Sequence, residues 1–227
     1  MVTTSSDPAG ASEPVLSHES TSTFYDRISR FYDFLSEHDE GPVREQAIDL
    51  LDVHPGENVL EIGVGTGHGL VRLARAVSHA GWACGIDLSP GMLKIAAHHL
   101  AAEGLQGRAA LVRADATTIP FAAGCIDRVL LCFTLELFEE PEIDEVLLEC
   151  RRVLRQQGKL AVASLSREGP DGLPRRAYDW LHRHFPGWVD CRPIFVARSL
   201  EAAGFTVDSR LIRMAGLPVE LAVGMKP

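Results

Sequence analysis

The sequence lacks several features that mark particular classes of protein. No stretch approaches the roughly 18–20 uninterrupted apolar residues of a membrane-spanning helix, so no transmembrane segment is expected. The five cysteines are scattered and never spaced as a C-x2-C pair, which excludes zinc-ribbon and disulfide-scaffold folds and favours a reducing compartment. No group of His, Asp and Glu has metal-ligand spacing, and we therefore expect no metal.

Basic residues are also few. Lys and Arg number 22 against 31 acids, which gives a formal net charge of −9. Because clustered Lys and Arg hold a nucleic-acid backbone, we expect no nucleic-acid partner. The 227 residues, 46% apolar and 23% charged, fit one globular domain.

The N-terminal segment differs in composition from the rest of the chain. Residues 1–23 are rich in Ser, Thr and Pro and contain no apolar core of the kind found in signal peptides. Such a segment buries too little surface to offset its ordering entropy, so we expect a disordered tail over 1–23. Residues 24–227 are expected to form the domain, in a cytoplasmic protein.

The spacing of apolar residues predicts strands that alternate with helices. Helical patterns cover 24–52, and strand-length apolar runs then begin at Asn58, Trp82, Ala109, Cys125 and Lys159. This alternation is typical of a mostly parallel sheet covered by helices on both faces. The last two strand patterns, Phe205–Met214 and Val219–Met225, have no helix between them and predict an antiparallel pair at the sheet edge.

Three alternate glycines, Gly63, Gly65 and Gly67, separate the first predicted strand from the next helix. Glycine permits positive φ and close approach of a ligand to the backbone, and a helix N-terminus offers unpaired N–H groups. The spacing does not fit the dinucleotide fingerprint G-x-G-x-x-G, whose third glycine would fall on His68 or Leu70. A P-loop is excluded because no Lys lies nearby. A nucleotide-type ligand is therefore predicted, and a nicotinamide oxidoreductase is disfavoured.

The spacing E-x-G-x-G-x-G resembles motif I of the class I S-adenosylmethionine-dependent methyltransferases. The resemblance extends from about Tyr25 to the C-terminus and includes the segments around Asp87 and Asp127. It also includes the approach to the fifth strand, where Gln156 and Gln157 replace the family's Pro and first Gly. It implies a Rossmann-like α/β fold, with a seven-stranded, mostly parallel sheet and a C-terminal antiparallel hairpin. The implied cofactor is S-adenosyl-L-methionine.

The resemblance also implies roles for individual residues. Asp87 would hold both ribose hydroxyls, and one carboxylate can indeed accept from two donors. Met92 would pack on the adenine, beside Asp115 and Ala116, although Asp115 could instead cap the following loop. The implied cofactor-binding set is Tyr25, Tyr32, Glu61, Gly63, Gly65, Thr66, Gly67, Asp87, Leu88, Met92, Asp115, Ala116 and Cys132.

Several of these residues have two interpretations. Glu61 is either a buried structural acid or a cofactor contact, and Cys132 is expected to line the pocket without acting as a nucleophile. Tyr25 and Tyr32 resemble residues of an N-terminal helical lid over 24–52, or they simply pack. His68 either contacts the cofactor or is an ordinary first-turn residue. The pair His98-His99 is expected to face solvent.

The branch that the sequence resembles is that of the ubiquinone/menaquinone C-methyltransferases and related lipid methyltransferases. We therefore expect methyl transfer to a small apolar or aromatic acceptor that is quinone-, phenol- or lipid-like. The aromatic segment 169–192 is a candidate substrate cap, or its rings pack on the core. Glu136, just after the fourth strand, is the candidate catalytic base or orienting acid.

Other functions stay open at this point. They are a lipid amine N-methyltransferase, a non-catalytic protein that binds S-adenosylmethionine, and an NAD-dependent oxidoreductase. The expected partner is a small-molecule or lipid-like substrate, and peripheral membrane contact is compatible with the sequence. The sequence gives no indication of oligomeric state.

Overall fold

The structure is a computed structural model that describes residues 40–168 and 192–227. Its strands are β1 (Asn58–Ile62), β2 (Trp82–Asp87), β3 (Ala109–Arg113), β4 (Ile126–Cys132), β5 (Leu154–Leu165), β6 (Thr206–Met214) and β7 (Leu217–Met225). Its helices are α1 (40–51), α2 (His68–Ala76), α3 (Pro90–Ala102), α4 (Glu140–Val153) and α5 (Val196–Ala202), with short 3-10 turns at Ala116–Thr118 and Leu135–Leu137.

All seven strands form one sheet in the order β3-β2-β1-β4-β5-β7-β6. The first five strands in that order are parallel, and β7 runs antiparallel to both β5 and β6. The predicted fold class is thus confirmed. The two final strands do form an antiparallel pair, but β7 inserts beside β5 and only β6 occupies the edge.

The core lies on both faces of this sheet. Strand residues point alternately to the two sides, so that Leu60 belongs to the cluster with α4 and α5, and Val59 to the cluster with α1 and α2. Burial on both faces explains why the parallel strands are almost uninterrupted apolar runs.

Two elements begin earlier than the apolar pattern predicts. Strand β5 starts at Leu154 rather than Lys159, because Leu154 pairs with Ile126 ahead of a register shift. Helix α5 starts at Val196 rather than Ser199. In both cases contacts with distant parts of the chain satisfy the backbone where the local sequence gives no signal.

The start of α3 follows its sequence signal closely. The hydroxyl of Ser89 accepts a hydrogen bond from the amide of Met92 at 3.2 Å, and Pro90 occupies the first helical position. The helix thus begins directly after the end of β2. The carboxyl ends of β1, β2 and β4 lie side by side, because β1 pairs in parallel with both other strands. The chain leaves β1 toward β2 on one side, while β4 lies on the other, and such switch points are where open α/β sheets bind ligands.

Candidate active site

The glycine-rich loop leaves β1 in a conformation that other residues rarely adopt. Gly63, Gly65 and Gly67 have φ values of 67°, 51° and 89°. The amides of Gly63 and Val64 both donate to the carbonyl of Ile86, at 2.9 and 3.0 Å, and so fix the loop to the end of β2. The three glycines are therefore required by the backbone path itself.

The three glycines face different surroundings. A side chain on Gly63 would collide with Thr134, and one on Gly67 would come within 2.9 Å of the Cα atom of Ala96. A Cβ atom built on Gly65, by contrast, would have the carbonyl oxygen of Gly63, at 4.0 Å, as its nearest neighbour among the described residues, apart from those adjoining it in sequence. Gly63 and Gly67 thus allow close packing inside the protein, and Gly65 opens onto space that a ligand can approach.

Asp87, the last residue of β2, lies beside this open position. Its Oδ2 accepts a hydrogen bond from the amide of Gly65 at 2.9 Å, and its Oδ1 accepts one from the amide of Ser89, also at 2.9 Å. The carboxylate thereby links the glycine loop to the cap of α3. Since each carboxylate oxygen has two lone pairs, these bonds leave the group chemically able to accept from hydroxyls.

Glu61 lies under the loop and is 3% exposed. Burial raises the pKa of Glu61 to about 8, with nearby Asp87 adding to the rise and Arg44 opposing it. Within the described residues its Oε2 is buried and has no hydrogen-bond partner. A buried polar atom without a partner is costly, so this oxygen is a candidate acceptor for a ligand's donor group.

The residues that follow β3 have mainly local contacts. Oδ1 of Asp115 accepts from the amide of Thr117 at 2.9 Å and from its hydroxyl at 2.8 Å, so Asp115 caps the turn Ala116–Thr118. This is the capping alternative noted from the sequence, and an adenine contact stays a prediction. Met92 and Ala116 are buried, at 5% and 6% exposure.

Cys132 ends β4 next to Thr134, whose hydroxyl donates to the carbonyl of Cys132 at 3.1 Å. Burial raises the pKa of the Cys132 thiol well above its ordinary value, and the carboxyls of Glu40, Glu61 and Glu136 add to this rise. A thiol in these surroundings stays protonated and is a poor nucleophile. Its chemistry is therefore limited to packing and contact.

Glu136 lies in the turn after β4 and is completely buried. Burial raises its pKa to about 7, while hydrogen bonds from Ser164 and Leu165 moderate the rise. The amide of Leu165 donates to Oε1 at 3.4 Å, and Oε2 has no partner among the described residues. A carboxyl group that titrates near neutrality can accept or donate a proton at physiological pH.

A contact with the loop also comes from His99, to which the sequence analysis gave no role in the site. His99 was expected to face solvent, but its Nδ1 lies 2.8 Å from the carbonyl oxygen of Thr66, and its ring stacks at a tilt on His68. Of the pair His98-His99, His98 is exposed and His99 is partly buried. The helical spacing of His99 from Met92 and Ala96 placed it on the inner face of α3 and could have revealed this contact.

Some predicted residues cannot be placed. Tyr25, Tyr32 and the aromatic part of the cap segment, 169–191, lie outside the described residues. Thr66 and Leu88 adjoin Gly65 and Asp87 in sequence, and their cofactor contacts stay predictions. Within 40–168 and 192–227, no cluster of three or more His, Cys, Asp or Glu could hold a metal ion.

Comparison with known proteins identifies the family. A family profile described as "Methyltransferase domain" matches residues 59–158, which run from β1 to the start of β5. A ubiquinone/menaquinone biosynthesis C-methyltransferase of Teredinibacter turnerae is 30% identical over 156 residues, which cover 67% of this chain and 61% of that protein. The chain belongs to the class I S-adenosylmethionine-dependent methyltransferases.

Two further similarities cover most of this chain. A demethylmenaquinone methyltransferase of Clavibacter sepedonicus is 29% identical over an alignment of 234 residues, gaps included, that covers 91% of this chain and 90% of that protein. A solved S-adenosylmethionine-dependent methyltransferase from Aquifex aeolicus superposes with a TM-score of 0.66 over 89% of this chain and 98% of its own, at 22% identity. The latter similarity shows the fold alone.

The chain spans about half the length of the first curated relatives that it matches, between 42% and 61%. In the described part of the methyltransferase, no helix is long and apolar enough to cross a membrane.

The family's cofactor, S-adenosyl-L-methionine, fits the residues present. The open position at Gly65 admits a ligand against the backbone, and the carboxylate of Asp87 lies next to it. Oε2 of Glu61, which has no hydrogen-bond partner among the described residues, offers a buried acceptor close to the same loop.

Proposed function

We propose that this chain transfers a methyl group from S-adenosyl-L-methionine to a small apolar or aromatic acceptor of the quinone or phenol type. The observation that carries the proposal is the pairing of an open glycine, Gly65, with the carboxylate of Asp87 at 2.9 Å. An adenosine ligand needs both a close backbone approach and acceptors for its two ribose hydroxyls. The activities for which the two relatives are named support the quinone-type acceptor.

Different residues of the site would bind different parts of S-adenosyl-L-methionine. Asp87 would accept the ribose hydroxyls, Met92 and Ala116 would pack on the base, and Glu61 would accept a hydrogen bond from the ligand's amino group. When bound, the cofactor supplies a methyl group on a positively charged sulfur, which leaves as a neutral thioether. The protein's contribution is then mostly to position the acceptor and exclude water.

Glu136 would remove the acceptor's proton. A phenol or an enol-type carbon must lose a proton as the new bond forms, and a base with a pKa near the working pH does this best. The pKa of about 7 that burial gives Glu136 meets this condition, since an ordinary glutamate is a weaker base. Its buried Oε2 is the atom that would take the proton.

The first test is calorimetry with S-adenosylmethionine and its demethylated product. The unchanged protein should bind both, and Asp87→Asn should weaken binding about tenfold or more, as expected for lost charge-assisted hydrogen bonds. Asp144→Asn, the same substitution at an exposed position of α4, is the control and should bind normally. Equal affinity in Asp87→Asn and the control would remove Asp87 from the site.

The second test is a mass-shift screen of quinone, phenol and amine acceptors. We expect one added methyl group on a quinone or phenol, and a strong loss of rate in Glu136→Gln. Binding of S-adenosylmethionine without product from any acceptor would instead indicate a binding protein, and product from amines alone would indicate an N-methyltransferase.

A further inference from the structure

A second buried carboxylate lies near Glu136, on the strand that inserts beside β5. Glu220 of β7 is 2% exposed and makes three hydrogen bonds. Its Oε2 accepts from the hydroxyl of Ser166 at 3.2 Å and from the amide of Val196 at 3.1 Å, and its Oε1 accepts from the amide of Ala197 at 3.1 Å. One side chain therefore holds the residues after β5 and the first turn of α5 together.

Backbone contacts close the same unit. Ser166 and Ile194 form a parallel β-bridge, and the amide of Ile194 donates to the carbonyl of Leu165 at 3.0 Å. The amide of Arg167 returns a bond to the carbonyl of Ile194 at 2.9 Å. We call this unit, residues 165–167 with 192–197, the β5–α5 crossing.

Glu136 is hydrogen-bonded to the β5–α5 crossing through two backbone amides. The amide of Leu165 donates to its Oε1, and the amide of Arg192 donates to its main-chain carbonyl at 3.1 Å. Both donors belong to the unit that Glu220 holds. Helix α5 itself has no side-chain cap from its own N-cap residue, Phe195, so Glu220 supplies the acceptors at that helix start.

We propose that Glu220 is a positioning residue, which orients the side chain of Glu136 for proton transfer by holding the β5–α5 crossing in place. The catalytic part of this inference rests on the function proposed above. The effect of Glu220 on the position of Glu136 does not rest on it, because this effect depends only on contacts within the protein. Loss of Glu220 should therefore affect Glu136 at a distance, through Leu165 and Arg192.

The test compares Glu220→Gln with Asp127→Asn. Asp127 is a partly buried carboxylate that also accepts hydrogen bonds, from the amide of Asn58 and from Arg155, but it lies at the opposite end of the sheet. Ser166→Ala, which removes a single contact with Glu220, is a milder second variant if Glu220→Gln folds poorly. The first readout is the titration of the Glu136 carboxyl carbon by NMR, with its signal assigned by its loss in Glu136→Gln.

We expect Ser166→Ala to move the Glu136 midpoint upward, because hydrogen bonds to the ionised form are weakened while the charge of Glu220 is kept. Glu220→Gln weakens the same bonds and also removes a negative charge, which lowers the midpoint of a neighbouring acid, so its shift is the sum of two opposed effects. Asp127→Asn should lower the melting temperature and leave the midpoint in place. An unchanged midpoint in folded Ser166→Ala would overturn the proposal and leave Glu220 as a helix cap.

The second readout is kinetic, with the acceptor found by the screen. Glu220→Gln should lower kcat roughly tenfold and shift the pH–rate profile with the Glu136 midpoint, while the affinity for S-adenosylmethionine stays unchanged. A pH–rate profile that does not follow the Glu136 midpoint would contradict the positioning role. If the unchanged protein methylates no acceptor, the function proposed above fails, and the NMR titration still decides whether Glu220 orients Glu136.

Discussion

The carboxyl group of Glu61 lies where a side chain on Gly69 would have to be. A Cβ atom built on Gly69 meets Oε1 of Glu61 and comes within 2.9 Å of its Cδ. Gly69 is in the first turn of α2, so the start of this helix is shaped around a buried acid of β1. The fourth glycine of the loop region thus serves the placement of Glu61.

Gly69→Ala should therefore destabilise the protein, although alanine is the better helix former by about 1 kcal/mol. Glu61 is 3% exposed, so its carboxyl group would have to shift within buried surroundings, and we expect this overpacking to outweigh propensity and cost about 1–3 kcal/mol. Urea denaturation measures the difference. Gly107→Ala is the matched control, because nothing lies within 4 Å of its Cβ position. A Gly69→Ala variant as stable as that control would show that the acid and the helix are not in contact.

The two buried acids should make stability fall as pH rises. Burial raises the pKa of Glu61 to about 8 and that of Glu136 to about 7, from 4.5 in the unfolded chain. Between these values the folded state keeps protons that the unfolded state releases, so stability present at low pH is lost as pH rises. Each group lowers the free energy of unfolding by about 1.4 kcal/mol per pH unit in this range.

Denaturation at a series of pH values, without cofactor, tests this account. Glu61→Gln and Glu136→Gln should each make the free energy of unfolding fall less steeply between about pH 5 and pH 7, because each variant lacks one of the two titrating groups. Glu145→Gln, at an exposed position of α4, serves as the comparison. Slopes that are identical in all three variants would mean that neither acid is buried as described.

His99 should support cofactor binding through the glycine loop. Removing its contact with the carbonyl of Thr66 in His99→Ala loses about one hydrogen bond, and we expect S-adenosylmethionine to bind roughly fivefold more weakly. The neighbouring His98→Ala, at an exposed position of the same helix, should bind as the unchanged protein does. Calorimetry that finds equal affinities for the two variants would separate His99 from the site.

Gln157 stands where the family's motif has its first Gly, and its φ of 62° is one that glycine adopts more easily. The amide N–H of Gln157 donates a hydrogen bond to the carbonyl of Lys226 at 2.9 Å, which holds the backbone in this conformation. Gln157→Gly should therefore stabilise the protein by about 1 kcal/mol. Gln156→Gly, one residue earlier and without a positive φ, should destabilise it. Thermal melts that rank the two variants in the opposite order would be contrary evidence.

Much of the fold could be predicted from local patterns. The bounds of β1 and β2 follow from apolar runs, and the start of α3 follows from Ser89-Pro90, because these signals act over a few residues. The insertion of β7 beside β5 has no such signal, since strand order is set by pairing between distant segments. The early start of β5 at Leu154 has the same cause.

The candidate site divides in a similar way. The proximity of Asp87 to the glycines could be predicted, because β1 and β2 are successive parallel strands that end at the same edge of the sheet. The contacts of Glu220 could not, since its partner Ser166 is 54 residues away and only the folded sheet joins them. Nor could composition predict the raised pKa of Glu136, which depends on burial beneath β5.

The most direct measurement is a crystal structure of the chain with the demethylated cofactor bound. We predict that its adenosyl group lies across the opening at Gly65, with both ribose hydroxyls on the carboxylate of Asp87. A ligand bound anywhere else, or a sugar that makes no contact with Asp87, would contradict the assignment on which the proposed activity depends.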